Sequence, residues 1–392
     1  MLRVLIVLGA ILIQTVHADL SWAASAIPVE KVASFSLPES VAKNYSDIPR
    51  KSLAVAWAGS QMIMAREYEA ALALLHDYEK ENPDDPIVSL GEMFVFHCHM
   101  IENMDFRFVK EFRIAESKNI HILESRRDVK KEATRWENLL AGASYGMRGM
   151  MFARQQKYLQ AASIGYKAFS LMNKVEEQSR QQTPLYDTYF GKGMYHYWIS
   201  WAKKKSLIFS PLGDKTELGL TELKMAADKA IIAAPLASFI LAYLYSQEDR
   251  NHEAISLLFP LQEKFPQNLI VRTLMGRLFL AEGHMARGIE TLESVLRVEP
   301  SYTVTGFYLG QALFYLKSSP ERAIAHLEAF VFDKSTVRSK VNRSKGNFYL
   351  TVIYMQRGER MLAKQFLKEI DRRGLSQNEQ TQLDAVKKEL KG

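Results

Sequence analysis

The stretch "APLASFILAYLYSQEDRNHEAISLLFPLQEKFPQN" at residues 234–268 is followed directly by "LIVRTLMGRLFLAEGHMARGIETLESVLRVEPSY" at residues 269–302. Each stretch holds two runs with apolar residues at helical spacing, separated by a short break. Pro266 closes the first stretch and Pro300 closes the second, 34 residues later. Because proline disfavours the continuation of a helix, we expect the two prolines to mark the ends of two helical pairs. The sequence therefore predicts a helix–turn–helix unit that repeats every 34 residues.

Small residues recur in step with these breaks over most of the chain. In each unit one small residue lies in the first helix and a second follows twelve or thirteen residues later, so that the two helices can approach closely. The pairs of positions are Gly59 and Ala71, Gly149 and Ala161, Ala242 and Ala254, Gly276 and Gly288, Gly310 and Ala323, and Thr351 and Ala363. The pattern resembles the tetratricopeptide (TPR) repeat family. The resemblance implies an all-α, right-handed α-solenoid whose first helices line a concave groove.

The central part of the chain carries a second resemblance. Its segments "SYGMRG", "YDTYFGKGMYHYW" and "LGDKTELGL" are similar to a group of secreted bacterial TPR proteins of unassigned role, and more faintly to the tetratricopeptide 39 and inclusion-body clearance family. The matching small and turn positions are Gly191, Gly193, Gly213, Asp214 and Gly219. The resemblance covers roughly residues 139–300 and carries over no catalytic residue. It implies a helical interaction scaffold.

These patterns predict a division of the chain. The expected parts are a signal peptide (1–18), an N-terminal extension (19–50), irregular TPR-like helical pairs (51–182), a long-helix insert (183–233), a regular TPR array (234–373) and a C-terminal capping helix (374–392). Within the irregular part, residues 84–140 have no closing proline. They predict either a degenerate repeat or a dimerisation hairpin.

The amino end has the features of a secretory leader. Arg3 precedes an uncharged apolar run, and small residues at Val16 and Ala18 give the spacing that a signal peptidase requires, with Ala26 as an alternative cleavage site. The apolar run is too short to span a bilayer, and no later stretch approaches 18 apolar residues. We therefore expect a periplasmic or secreted protein without a mature transmembrane helix.

The amino-acid composition limits the structural class and the kinds of partner that the protein can have. With 47% hydrophobic residues the chain can bury a large core, and its only cysteine, Cys98, excludes an intrachain disulfide framework. The formal net charge of +7 is compatible with an acidic partner, an anionic lipid surface or a nucleic acid. Lysines and arginines on solvated helix faces would give the same total.

The TPR resemblance indicates which side chains face the groove. Aromatic rings with a few amide or guanidinium groups suit an extended peptide, because rings supply contact area at low entropic cost. The predicted groove residues are Phe239, Tyr243, Gln247, Thr273, Arg277, Phe307, Gln311, Tyr315, Phe348 and Gln356. The expected partner is a protein or an extended peptide, although some of these aromatics could instead belong to the core between repeats.

Basic residues concentrate near the carboxyl end. Residues 333–373 hold 11 lysines and arginines against four acidic residues. The predicted basic patch comprises Lys334, Arg338, Lys340, Arg343, Lys345, Arg360, Lys364 and Lys368. It fits docking to an acidic partner or an anionic membrane surface, and equally a solvated capping helix. Because the chain carries a leader and no recognition motif, we expect no nucleic-acid partner.

The sequence shows no pattern of catalytic or cofactor-binding residues. It lacks the nucleophile-elbow, phosphate-loop and zinc-protease motifs. His97 and His99 of "HCHM" lie two apart, so on a helix they point away from each other, and we expect a hydrogen-bonded structural histidine rather than a metal ligand. "YHYW" at residues 195–198 predicts an aromatic packing layer.

The expected function is therefore binding, with no enzyme activity, cofactor or metal. The leading hypothesis is an exported scaffold, with a role in assembly of the cell envelope. One alternative is a carrier whose aromatic helices over 186–201 close on a small apolar ligand or lipid. A second is a membrane-surface adaptor that uses residues 333–373.

Overall fold

A computed structural model describes residues 37–103, 105–129, 132–205, 213–317, 319–333 and 340–391. The predicted leader lies outside these residues. The helices are α1 (Glu39–Asn44), α2 (Arg50–Met64), α3 (Tyr68–Glu81), α4 (Pro86–Glu102), α5 (Val109–Val129), α6 (Arg135–Arg154), α7 (Tyr158–Gln178), α8 (Asp187–Lys205), α9 (Thr216–Lys229), α10 (Ala234–Gln247), α11 (Asn251–Lys264), α12 (Leu269–Ala281), α13 (Met285–Val298), α14 (Thr303–Leu316), α15 (Pro320–Phe332), α16 (Lys340–Gln356), α17 (Arg360–Leu367) and α18 (Gln377–Lys391). A 3-10 turn, Arg372–Gly374, precedes α18.

The helices from α2 to α17 form eight pairs within the described residues. In each pair the two helices pack together, and the second helix also packs on the first helix of the next pair. Neighbouring first helices touch along most of the array, as α2 does with α4 and α12 with α14. Stacking buries the apolar face that a single pair leaves exposed. The expected all-α solenoid is confirmed.

The quoted stretch forms α10 to α13, and its breaks have clear physical causes. Pro235 lies in the first turn of α10, where its missing N–H costs nothing. Asp249 and Gly283, 34 residues apart, end the first helices with positive φ values of 57° and 79°. The Asn268 side chain caps α12 by accepting a hydrogen bond from Val271 N at 3.0 Å.

Both irregular segments also fold as helix pairs. Residues 84–140 contain α4 and α5, which pack on each other and join the neighbouring pairs. Residues 183–233 contain α8 and α9, which lie in series with the rest of the array. Because α4 and α5 continue the stack, this arrangement favours the degenerate-repeat interpretation of 84–140. The domain boundaries themselves stay predictions.

Helices α8 and α9 approach each other closely at two glycines, Gly193 and Gly219. A Cβ added to Gly219 would lie 2.7 Å from Tyr197 N and 2.8 Å from Gly193 O, and a Cβ on Gly193 would lie 2.7 Å from Gly219 O. Real side chains do not tolerate such contacts with backbone. Only glycine at both positions lets the two backbones meet this way.

Asp187 fastens the start of α8 to the start of α10. Its buried carboxylate accepts hydrogen bonds from Ile231 N at 3.0 Å, Ile232 N at 2.9 Å and Ala233 N at 2.7 Å. The first N–H groups of a helix have no partner within the helix, and Ala233 supplies no capping side chain. Burial raises the pKa of Asp187, and the three N–H donors oppose this rise. A side chain 44 residues earlier thus holds the segment that leads into α10 and connects two consecutive pairs.

The residues before α2 are fastened to the middle of the array. Arg135 is buried and binds Asp47 through two hydrogen bonds of 2.6 and 2.5 Å. The Tyr45 hydroxyl donates to Pro184 O at 3.0 Å. The segment around residue 45 therefore packs against α6 and the junction between α7 and α8.

Helix α2 also reaches the second half of the chain, which the sequence does not predict. It packs on α10, and Asn268 Nδ2 donates a hydrogen bond of 2.8 Å to Met64 O across 204 residues. Met64 is buried in the core cluster of α10 to α12, and Lys264 Nζ lies 5.7 Å from the centre of the Trp57 ring. The array therefore folds back on itself.

The turn after α2 extends this contact. Arg66 has a φ of 64° and binds Glu102 at 2.7 Å, and Glu102 also accepts a hydrogen bond of 2.7 Å from the Tyr68 hydroxyl. Burial lowers the pKa of Arg66, but the hydrogen bond with Glu102 and the charges of Glu102 and Glu299 raise it overall. Glu299 lies at the junction of α13 and α14, and its charge thus acts on this turn.

At the carboxyl end, α18 lies within the segment expected to form a capping helix. It packs against α16 through Leu383, Val386 and Leu390, which belong to the C-terminal core cluster. In the part of the chain that the structure describes, no helix has both the length and the apolarity required to cross a bilayer.

Two glycine substitutions test the role of close helix approach. Gly219→Ala is expected to lower the free energy of unfolding by about 1–3 kcal/mol, because its methyl group must push α8 and α9 apart. Gly59→Ala is the matched control, since nothing lies within 4 Å of the added Cβ. It is expected to raise the free energy by about 0.5–1 kcal/mol through its helix propensity. Urea denaturation followed by circular dichroism measures both, and equal effects would contradict the close-approach argument.

Candidate functional site

Three of the ten predicted groove residues are core residues. Thr273, Phe307 and Phe348 are buried, with exposed fractions of 5%, 2% and 0%. The Thr273 hydroxyl forms a hydrogen bond of 2.6 Å with the hydroxyl of Thr305 on the next first helix. The Phe307 ring packs 4.6 Å from that of Phe330. Because these side chains fill the space between neighbouring helices, their assignment to an open groove is wrong.

Four other predicted residues and Tyr308 lie on three successive first helices, α10, α12 and α14. We call Tyr243, Arg277, Tyr308, Gln311 and Tyr315 the first-helix surface. The Arg277 guanidinium carbon lies 4.3 Å from the centre of the Tyr308 ring, which is a cation–π contact. Burial raises the pKa of Tyr243, the nearby charge of Arg277 lowers it, and Tyr308 raises it. These three side chains therefore lie together although they come from three successive pairs.

Tyr308 belongs to this surface but was not predicted. It precedes Gln311 by three residues and Tyr315 by seven, so the three share one face of α14. This helical spacing was the signal that could have identified it.

The first-helix surface ends at a hydrogen-bonded group between α14, α16 and α18. Gln311 Nε2 donates to the Tyr349 hydroxyl at 2.6 Å, and that hydroxyl donates to Glu379 Oε1 at 2.8 Å. Burial raises the pKa of Tyr349, as do its hydrogen bonds with Tyr315 and Glu379. Tyr315 packs 5.8 Å from the Tyr349 ring and remains 59% exposed. The hydrogen bonds among Gln311, Tyr349 and Glu379 thus hold the Tyr349 ring in place beside the accessible ring of Tyr315.

The remaining predicted groove residues lie apart from the first-helix surface or at its edge. Gln247 and Gln356 are exposed at the ends of α10 and α16. Phe239 is partly buried and packs against the core cluster that contains Met64. Phe239 thus contributes to packing within the repeat array rather than to an open groove.

The predicted basic patch is smaller than its charge count indicates. Lys334, Arg338 and the Lys340 side chain lie outside the described residues. Arg343 is partly buried, Lys345 lies 4.0 Å from Glu379, and Arg360 donates to Glu389 O. Lys364 and Lys368 are exposed and form no ion pair within the described ranges. Polybasic lipid-binding segments usually carry about four to eight basic residues, so this described surface is a weak candidate.

The two histidines of "HCHM" lie in different environments. His99 stacks on Tyr68 with ring centres 4.7 Å apart. His97 is 2% exposed, and neither of its ring nitrogens has a hydrogen-bond partner among the described residues. The expectation of a structural histidine fits this burial, but the expectation that it is hydrogen-bonded is wrong. Burial and the nearby charge of Arg154 lower the pKa of His97 to about 3.

Residues 195–198 pack in several directions. The Tyr195 ring stacks 4.6 Å from Phe169, Tyr197 donates to Glu248 at 2.8 Å, and Trp198 is 39% exposed. Buried His196 lies 2.6 Å from Glu222 Oε2. These contacts fasten α8 to α7, α9 and the end of α10. They do not bring the rings around one common ligand.

Solved structures with a similar fold are helical-repeat proteins. Cut9 in the Cut9–Hcn1 hetero-tetramer matches with a TM-score of 0.56 and 14% identity, covering 91% of this chain and 58% of Cut9. A Rap protein complexed with competence and sporulation factor has a TM-score of 0.45 and 16% identity, covering 93% of this chain and 99% of that one. Human IFIT1 with m7Gppp-AAAA has a TM-score of 0.43 and 14% identity. The match covers 87% of this chain and 70% of the IFIT1 chain. No protein family matches the sequence, and no curated protein is similar to it.

The likeness to Cut9 supports a TPR-type fold. At 14% identity it shows the fold alone, and this chain spans 58% of that protein's length. Secretion and the similarity to the tetratricopeptide 39 family stay expectations. The partner class must be argued from this chain's own side chains.

His97 provides a pH test. Its folded-state pKa is lower than the ordinary value of 6.5, so below pH 6.5 the unfolded chain binds the proton first and stability falls as the pH falls towards about 3. The loss from this one group is about 1.4 kcal/mol per pH unit, or about 2 kcal/mol at pH 5. In His97→Leu the difference in unfolding free energy between pH 7.5 and pH 5 should be smaller by that amount, measured by urea denaturation. If the difference in unfolding free energy between the two pH values is the same in His97→Leu as in the unaltered protein, His97 is not the group that causes this pH dependence.

Proposed function

We propose that this chain is a protein-binding scaffold that holds an extended polypeptide on the first-helix surface. The observation that carries the proposal is the series of Tyr243, Arg277, Tyr308, Gln311 and Tyr315 across three successive first helices. Tyr315 is 59% exposed and the other four side chains are partly buried. Aromatic and arginine side chains dominate the binding energy of many protein interfaces. The TPR-type fold supports an interaction scaffold of this kind.

The spacing of the helices fits an extended chain. Packed helices lie about 8–10 Å apart, and an extended strand advances about 3.3 Å per residue. A polypeptide crossing this surface would thus meet one first helix about every three residues. Tyrosine rings would supply contact area, while Gln311 and Arg277 could hydrogen-bond to carbonyl groups of the bound chain.

The proposed setting is outside the cytoplasm. The leader pattern at residues 1–18 supports export, and a binding scaffold without a recognised catalytic motif suits a role in assembly of the cell envelope. A carrier of a small apolar ligand has less support, because the aromatic side chains of α8 face different neighbours. We propose a polypeptide partner and no nucleic acid.

A photo-crosslinking experiment tests the proposed surface. The crosslinking amino acid p-benzoylphenylalanine replaces Tyr315, which is 59% exposed on a first helix, or Tyr166, which is 61% exposed on the second helix α7. Because the two sites match in residue type and exposure, comparing them distinguishes binding at a specific surface from nonspecific crosslinking at any exposed site. Crosslinking in the native envelope should join a polypeptide to position 315 and not to position 166.

A binding measurement completes the test. A synthetic peptide that covers the crosslinked segment should bind the purified protein, as followed by fluorescence anisotropy. Tyr315→Ala should weaken that affinity about tenfold or more, as expected for an interface hot spot, and Tyr166→Ala should leave it unchanged. Equal crosslinking at both sites, or equal affinity of both variants, would reject the first-helix surface as the binding site.

A further inference from the structure

The contact that folds the array back on itself is small and chemically distinct from the cores on either side. We call it the closing contact and define it by Trp57 and Met64 from the amino-terminal pair and by Lys264 and Asn268 from the later pairs. Its Met64 carbonyl accepts one hydrogen bond from Asn268 at 2.8 Å, and Trp57 and Lys264 form a cation–π contact at 5.7 Å. Met64 contributes one apolar side chain to the core cluster of α10 to α12.

Each side of the closing contact has its own support. Helix α2 packs on α3 and α4, and Trp136 Nε1 donates to Ser52 Oγ at 3.3 Å. The later pairs share separate core clusters, and Asn268 caps α12 independently of Met64. Separation at the closing contact would therefore leave both sides folded.

The closing contact also covers part of a first helix. Helix α2 packs on α10, whose Phe239 side chain is only partly buried. Tyr315 lies two pairs further along and is 59% exposed. The contact thus limits access to one end of the first-helix series and leaves the other end open.

We propose that the closing contact is a latch: the array opens there while both sides keep their cores, and opening exposes the part of α10 on which α2 packs. Local opening of this kind requires less free energy than unfolding of a helix pair. Minor open states of folded proteins are populated at about 0.1–10%.

Two buried methionines on α2 offer a matched test. Met64 is 6% exposed and lies in the closing contact, whereas Met62 is 0% exposed and packs with Ile63, Tyr68, Ala71 and Val95 within its own part of the array. In the full chain with Cys98→Ala, each methionine is replaced in turn by cysteine. The rate of reaction with a thiol reagent under native conditions then reports how often each site becomes exposed.

The latch predicts a selective response to Asn268→Asp. The new side chain keeps the oxygen that caps α12 and loses the N–H group that donates to Met64 O. Labelling of Met64→Cys should speed up about fivefold or more, which corresponds to the loss of one hydrogen bond, while labelling of Met62→Cys stays constant. Lys264→Ala should give the same pattern from a second position.

The outcomes separate a latch from an ordinary packing contact. If the two cysteines react at equal rates, or if both accelerate together in Asn268→Asp, exposure requires unfolding of the whole region and the latch is rejected. An unchanged rate at Met64→Cys would also reject it. The experiment needs no partner, so its result is independent of whether the first-helix surface binds a polypeptide.

Discussion

The close backbone approach of paired helices is the constraint on which the array depends. Between α8 and α9, Gly193 and Gly219 bring backbone atoms to distances that no Cβ could occupy. Such contacts fix how far each helix is rotated about its axis, and rotation decides which side chains meet the neighbouring pair. The surface that a first helix presents is thus a consequence of small residues on its opposite side.

Local signals in the sequence were sufficient to predict the repeat, but they were not sufficient to predict which side chains face solvent. Pro266 and Pro300 act within a few neighbours, so a single sequence reveals the breaks that they mark. Whether Phe307 faces solvent or a neighbour depends on Phe330, which comes from a different helix. Burial between repeats is a property of the stack, and residue type alone does not encode it.

Long-range contacts were beyond prediction for a related reason. An asparagine before a helix is an ordinary capping signal, yet Asn268 also binds Met64 O from 204 residues away. Asp187 likewise looks like a first-turn carboxylate of α8, and it binds the backbone of the segment that leads into α10. Each side chain has a sufficient local explanation, so nothing in the sequence pointed to its second partner.

The contact between α2 and α10 places the first helices in two environments, which differ in the free energy that a ligand must spend to bind. Near α2, a ligand must compete with side chains of the same chain, whose effective concentration is high because they are covalently attached. Towards α14, the ring of Tyr315 is already exposed and is supported by the Gln311–Tyr349–Glu379 hydrogen bonds. Because these supporting groups are held before binding, a ligand there would lose little free energy in ordering them. The carboxyl-terminal end of the first-helix surface is therefore where we expect initial contact with a partner to be most favourable. The part of α10 on which α2 packs would become available only when the proposed latch opens.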